Sequence, residues 1–159
     1  MSAAIISDSS SLIMVGKLER LDLLTNLFQQ IIIPQRVAEE ITAKEDGVAK
    51  HVLTHPLFVI SATTNHALLA LLDGTLDYGE AEAIALAKER QMILLVDEKK
   101  ARKIAKNMHL KIIGLLGVLI LNRNHGYLTK EEAIALLEQV KAMDFRLSAK
   151  LETDFLSRL

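Results

Sequence analysis

Short apolar runs alternate with segments of helical periodicity along the whole chain. Residues 3–7, "QIIIP" (30–34), "LFVIS" (57–61), 92–96 and 110–113 are short and aliphatic without strict polar alternation, the pattern of strands buried on both faces. "LIMVGKLERLDLLTNLF" (12–28) reads as one helix: Leu18, Leu21, Leu24 and Leu27 recur every three residues, and Leu23 and Phe28 widen the stripe. Pro34 closes the second strand and suits the first turn of the next helix, "PQRVAEEITAK", where Val37 and Ile41 stand at i and i+4. "HALLALL" predicts an apolar helix, and "LDYGEAEAIALAKER" (76–90) an alanine-rich one entered through Asp77 or Gly79. Helices are further predicted over 98–108, 115–123, 129–143 and 148–158, with Thr129 and Glu132 spaced as a capping box. Strands alternating with helices predict a single-domain three-layer α/β/α fold over residues 1–159, with a mostly parallel central sheet.

Two of the apolar runs end on an acid. Ile5, Ile6 and Ser7 lead into Asp8, and Ile93, Leu94, Leu95 and Val96 lead into Asp97. In open parallel α/β sheets ligands bind outside the carboxyl ends of strands, near the point where strand order reverses, so both acids could converge on one edge. Each could equally cap the helix that follows it. Glu39 and Glu40 lie inside the helix after the second strand, and Glu80 and Glu82 open the alanine-rich helix. No polar residue separates Glu82 from Lys88, which predicts a nearly buried helix whose first turn alone meets solvent or a site. Glu80 would also sit well at a helix N-terminus for purely electrostatic reasons. Taken together, carboxylates on separate elements are what a hard divalent cation requires. Such a cluster can activate water and hold a scissile phosphate. Ser9 and Ser10, beside Asp8, could donate to a ligand carboxylate or a phosphate oxygen.

Composition narrows the choices. The 159 residues fit one domain with a substantial aliphatic core: 50% are hydrophobic and only 4% aromatic. Nineteen Lys and Arg against 20 Asp and Glu give a formal charge of -1, without the cationic footprint of most nucleic-acid binders. An acid cluster filled by a divalent ion would nonetheless meet substrate as a cationic site. The absence of cysteine excludes disulfides, thiolate metal sites and a cysteine nucleophile. "MSAAIISDSS" lacks the basic and apolar regions of a signal peptide, and the longest apolar run, "IIGLLGVLIL" (112–121), is too short to span a membrane. A cytoplasmic protein with no membrane contact is expected.

Other motifs fall away. His51 and His55 in "HVLTH" have the spacing of a zinc helix, but Val52 stands where the metalloprotease needs glutamate and Pro56 ends the helix. Walker A, GxGxxG and GxSxG motifs are missing. A phosphoacceptor receiver domain would want paired acids after the first strand and a lysine after the last, and "ISDSSS" and "IIGLL" supply neither.

"IISDSSSLIMVGKLERLDLLTNLFQQIIIPQRVAEEI" resembles the opening of a PIN domain, and "LDYGEAEAIALAKERQMILLVDEKKARKIAKNMHLKIIGLLGVLI" its second half. The tail "MDFRLSAKLETDFLSRL" is similar to the small prokaryotic VapC-like branch of that family, so the likeness covers nearly the whole chain. It implies a metal-dependent endoribonuclease, a toxin-like component of a toxin–antitoxin pair, with Mg²⁺ or Mn²⁺ as cofactor. RNA would be the substrate, an antitoxin protein a partner, and a homodimer the assembly. The catalytic, metal-binding acids implied are Asp8, Glu40, Glu80 and Asp97, with Glu39 as rival to Glu40 and Glu98 as an outer acid. Ser9, Ser10, Lys99, Lys100 and Arg102 would meet substrate. One departure stands out: the branch often carries Gly-Thr-Leu-Gly where this chain has Gly114, Leu115, Leu116 and Gly117, so a threonine hydroxyl is lost. The alternative is a PIN-fold module that binds RNA or protein with a weak or inactive acid site.

Overall fold

In the computed structural model, which describes residues 4–159, the strands all run parallel in one sheet. They are β1 (Ala4–Ser7), β2 (Gln30–Pro34), β3 (Phe58–Ser61), β4 (Ile93–Leu95) and β5 (Ile112–Ile113), in the order β3-β2-β1-β4-β5. The predicted first strand included Ala3, which lies outside the described residues. The helices are α1 (Ser9–Lys17), α2 (Asp22–Thr25), α3 (Gln35–Ala43), α4 (Val48–Leu53), α5 (His66–Asp73), α6 (Tyr78–Arg90), α7 (Lys99–Asn107), α8 (Leu115–Asn124), α9 (Lys130–Ala142) and α10 (Ala149–Ser157).

Pleating divides β1, β2, β4 and β5 between two cores, which is why those runs do not alternate with polar residues, while edge strand β3 buries Phe58 and leaves Val59 and Ile60 exposed. Ile5, Ile31, Ile33 and Leu95 face one core with Leu12, Val15, Leu119 and Leu137 from the helices on that side. Ile6, Ile32, Leu94 and Val96 face the other, which holds Leu69, Leu72, Ala101 and the apolar residues of α6. The result is the expected three-layer α/β/α arrangement. Gly79 to Ala87 of α6 are all buried, because small side chains let this helix lie close against the sheet. The first turn of α6 is held by Asp77, whose side chain accepts from the Glu80 amide at 3.0 Å. The predicted capping box of α9 is present in both directions.

The single helix predicted over 12–28 is instead two. The chain leaves α1 at Leu18, and Glu19 takes a left-handed conformation (φ 58°). Arg20 then pairs with Asp22 at 2.9 Å as α2 begins. Leucines at threefold spacing still face the core through this break, so periodicity alone could not reveal it. Helix α4 was not predicted; it starts after Gly47, whose φ of 83° favours glycine, and buries only Val48 and Val52. No helix among the described residues is long and apolar enough to cross a membrane.

Strand order places the reversal point between β1 and β4: the chain moves outward from β1 through β2 to β3, then returns to the opposite side of β1. Asp8 directly follows β1, and Asp97 follows β4 after Val96, whose amide still donates to Ile113 O. Both acids therefore lie at the crevice where this class of sheet binds ligands.

Candidate active site

Asp8 does two jobs. It caps α1, its Oδ1 accepting from the Ser11 amide at 2.9 Å, while the Asp97 amide lies 3.4 Å from its Oδ2. It is fully buried, with no exposed surface. Burial pushes its carboxyl up to about 7, the Ser11 hydrogen bonds pull it down, and the charge of Asp97 pushes it up again.

Asp97 is not the cap of α7; Glu98 is, accepting from the Ala101 amide at 2.9 Å. Asp97 is thereby left to turn inward. Its Oδ2 accepts from the Ser11 hydroxyl at 2.7 Å, and the Leu115 amide at the start of α8 lies 3.1 and 3.2 Å from its two oxygens. Burial raises its pKa, while Ser11, the Leu115 amide and the nearby charge of Arg102 lower it. Ser11 thus holds Asp8 with its amide and Asp97 with its hydroxyl. The sequence reading passed over Ser11 in favour of Ser9 and Ser10; the signal available was its position three residues after a helix cap.

Glu80 approaches from the first turn of α6. Burial pushes it up to about 8, and the charges of Asp77, Glu98 and Asp8 add to the rise. Glu40 is brought in from α3: the Ser9 hydroxyl donates to its Oε1 at 2.6 Å, and Gly79 lies against it so closely that a Cβ there would fall 1.7 Å from that oxygen. Glu39 points elsewhere, accepting from the Tyr78 hydroxyl at 2.7 Å. The two neighbouring glutamates therefore differ in setting: Glu40 lies beside Ser9 and Gly79, Glu39 on the exposed side. Glu82, on the same helix as Glu80, takes no part; it is 3% exposed and accepts from the amides of Arg36 (2.8 Å) and Thr63 (3.2 Å), tying α3 and the end of β3 to α6.

The proposed substrate contacts sort differently. Ser10, Lys99 and Lys100 are exposed, and among the described residues neither lysine is in an ion pair. Arg102 is half-buried, and its guanidinium donates to Val96 O at 2.8 Å beside Asp97. It is thus a neighbour of the acid as well as a cation near the cleft. Leu115 is fully buried in the core, and what it offers Asp97 is its backbone amide.

Among the described residues, no three His, Asp or Glu side chains are close enough to enclose a metal ion between them. The donor chemistry nevertheless fits a hard divalent cation. All the donors are oxygens, and burial raises the carboxyls of Asp8 and Glu80 well above the usual range, with neighbouring carboxylates adding to the rise. Mg²⁺ keeps several waters, so it needs few direct carboxylate ligands.

A family model described as a PIN domain matches residues 4–159. Among solved structures, a PilT N-terminus domain protein from the hyperthermophilic archaeon Sulfolobus solfataricus is similar, with a TM-score of 0.50 and 17% sequence identity over 74% of this chain and 90% of that one. At that identity the likeness is one of fold. No curated protein matches the chain.

Proposed function

The chain belongs to the PIN-domain family, whose fold is of the nuclease type, and from that premise we propose that it is a divalent-metal-dependent endoribonuclease. The observation that carries this reading is the pairing of Asp8 and Asp97 through Ser11 at the reversal point of the sheet, with Glu80 near enough to feel the charge of Asp8. Asp8, Glu40, Glu80 and Asp97 would hold Mg²⁺ or Mn²⁺. When bound, such an ion supplies Lewis-acid polarisation of a phosphodiester and lowers the pKa of a water.

The chain's own residues would do the rest. Ser11 and the Leu115 amide fix the rotamer of Asp97, so its carboxylate needs no reorganisation when substrate arrives. Ser9 steadies Glu40. Burial raises the carboxyls of Asp8 and Glu80 to about 7 and about 8 without metal, so both would have to give up their protons as a cation binds, and uptake would weaken as pH falls. Lys99 and Lys100, at the start of α7 beside Asp97, would meet RNA phosphates, as would the hydroxyl of Ser10. A toxin-like role, an antitoxin partner, a homodimer and a cytoplasmic setting belong to this same proposal.

One observation favours a second reading, a binding module without catalysis. Asp97 is already satisfied by Ser11 and Leu115, and Glu40 by Ser9, so metal must compete with internal hydrogen bonds. Cleavage of a long single-stranded RNA separates the two. Wild type with Mn²⁺ should cut, while EDTA or Asp97→Asn should stop it. Intact RNA with every divalent metal would favour the binding module, and cleavage that survives both controls would refute the assigned site.

A further inference from the structure

Tyr78 is the first residue of α6, directly before Gly79 and Glu80, and three contacts hold it in place. Its hydroxyl donates to Glu39 Oε2 at 2.7 Å, and the Arg36 guanidinium lies 4.3 Å from its ring centroid. Arg36 also donates to the Tyr78 carbonyl at 3.2 Å. Arg36 is itself fixed by a fork to Asp73, with contacts of 2.6 and 3.1 Å. A surface tyrosine ordinarily keeps its rotamer freedom; this one is tethered at both ends yet remains 49% exposed. Its place is set by the chain, since the next two residues are Gly79, packed on Glu40, and Glu80.

We propose that Tyr78 is a nucleobase-stacking platform that seats an unpaired base of single-stranded RNA beside the acid site. This rests on the reading of that site as one that takes RNA. Aromatic faces bind bases of any sequence, and a ring already locked in place loses little entropy when a base settles on it. Arg36 backs the ring on one face, and about half of the residue's surface is still open to a ligand. The surrounding charges explain why a base, not a phosphate, belongs there. Glu39 and Asp73 are carboxylates, and the Arg36 fork is committed to Asp73, so the immediate surface does not attract phosphate. The lysines of α7 do, and they lie on a different element. The platform and the lysines should therefore differ in salt dependence: stacking persists as salt rises, and phosphate contacts fade.

The test is fluorescence anisotropy with a short labelled oligoadenylate and an abasic oligomer of equal length. Both are measured in Ca²⁺, a hard cation that neutralises the carboxylates, with the oligomers checked to be intact afterwards. Tyr78→Ala should weaken oligoadenylate binding about tenfold at both low and high salt. Tyr78→Phe and Tyr78→Trp should stay within a few-fold of wild type, and all four proteins should bind the abasic oligomer alike. Tyr78→Ala binding as wild type, Phe losing as much as Ala, an equal loss on the abasic oligomer, or no binding by wild type would each overturn the platform. Failure of the nuclease reading is separable. RNA left uncut in Mn²⁺ with ring-dependent binding intact removes the enzyme and keeps the platform; cleavage with no ring-dependent binding does the reverse.

Discussion

Ser11 and Asp97, 86 positions apart in the chain, are joined by a 2.7 Å hydrogen bond from the serine hydroxyl to the carboxylate. The same serine holds Asp8 through its amide, so one residue in the first turn of α1 fixes both acids that end the central strands. Burial disfavours the charged form of both acids, the charge of Asp97 adds to this at Asp8, and protonation relieves it.

The first consequence concerns pH. Asp8 and Glu80 have their folded pKa values raised to about 7 and about 8, from ordinary values of 3.8 and 4.5. Between those limits the folded chain holds more protons than the unfolded one, so stability is present at low pH and is lost as pH rises through the folded values. In EDTA the melting temperature should fall by about 5 °C or more across this window. Added Mn²⁺ should restore it most at the alkaline end. A melting temperature that rises with pH in EDTA would remove the basis for a strained acid pair.

A second consequence follows from the contact between Gly79 and Glu40. In Gly79→Ala the new Cβ would fall on Glu40 Oε1 and within 2.9 Å of both Glu40 Cδ and Ser9 Oγ, so the carboxylate must swing away and give up its hydrogen bond from Ser9. Alanine also favours the helix by about 0.5–1 kcal/mol. That gain roughly offsets the lost hydrogen bond, so the variant should melt within about 5 °C of wild type in EDTA while its RNA cleavage falls at least about tenfold, if Glu40 belongs to the site. Full activity would show that Glu40 is a bystander.

Glu82 makes the opposite case. Its carboxylate closes the buried Thr63 amide and the partly buried Arg36 amide, so Glu82→Gln turns an amino group toward one of them and should cost about 1–3 kcal/mol, read by urea denaturation. Its response to Mn²⁺ should match wild type. Loss of that response would move Glu82 into the metal site and redraw its boundary.

Much of this arrangement was legible in the chain. Aliphatic runs without alternation require a sheet covered on both faces, and a parallel sheet with acids after β1 and β4 brings them together wherever strand order reverses. The alanine run of α6 foretold a buried helix. Other features depend on geometry that spacing does not carry. Asp8 was weighed as either cap or site residue, and it is a cap whose second oxygen remains turned toward Asp97. Asp97 escaped capping because Glu98, one residue on, took that role. Glu39 and Glu40 could not be told apart until Ser9 and Tyr78 were seen to hold one each. The break at Glu19 and the inward turn of Ser11 are invisible to periodicity, because hydrophobic spacing records which face is buried and not where the backbone reverses.

The central claim is that these carboxylates take up a divalent cation, and calorimetric titration of Mn²⁺ tests it most directly. It is best done at a pH above the values of about 7 and about 8 that Asp8 and Glu80 reach without metal. Wild type should give a saturable isotherm that weakens as pH falls through that range, and Asp8→Asn, still folded, should give none. A flat wild-type isotherm, or equal binding by the variant, would contradict the account.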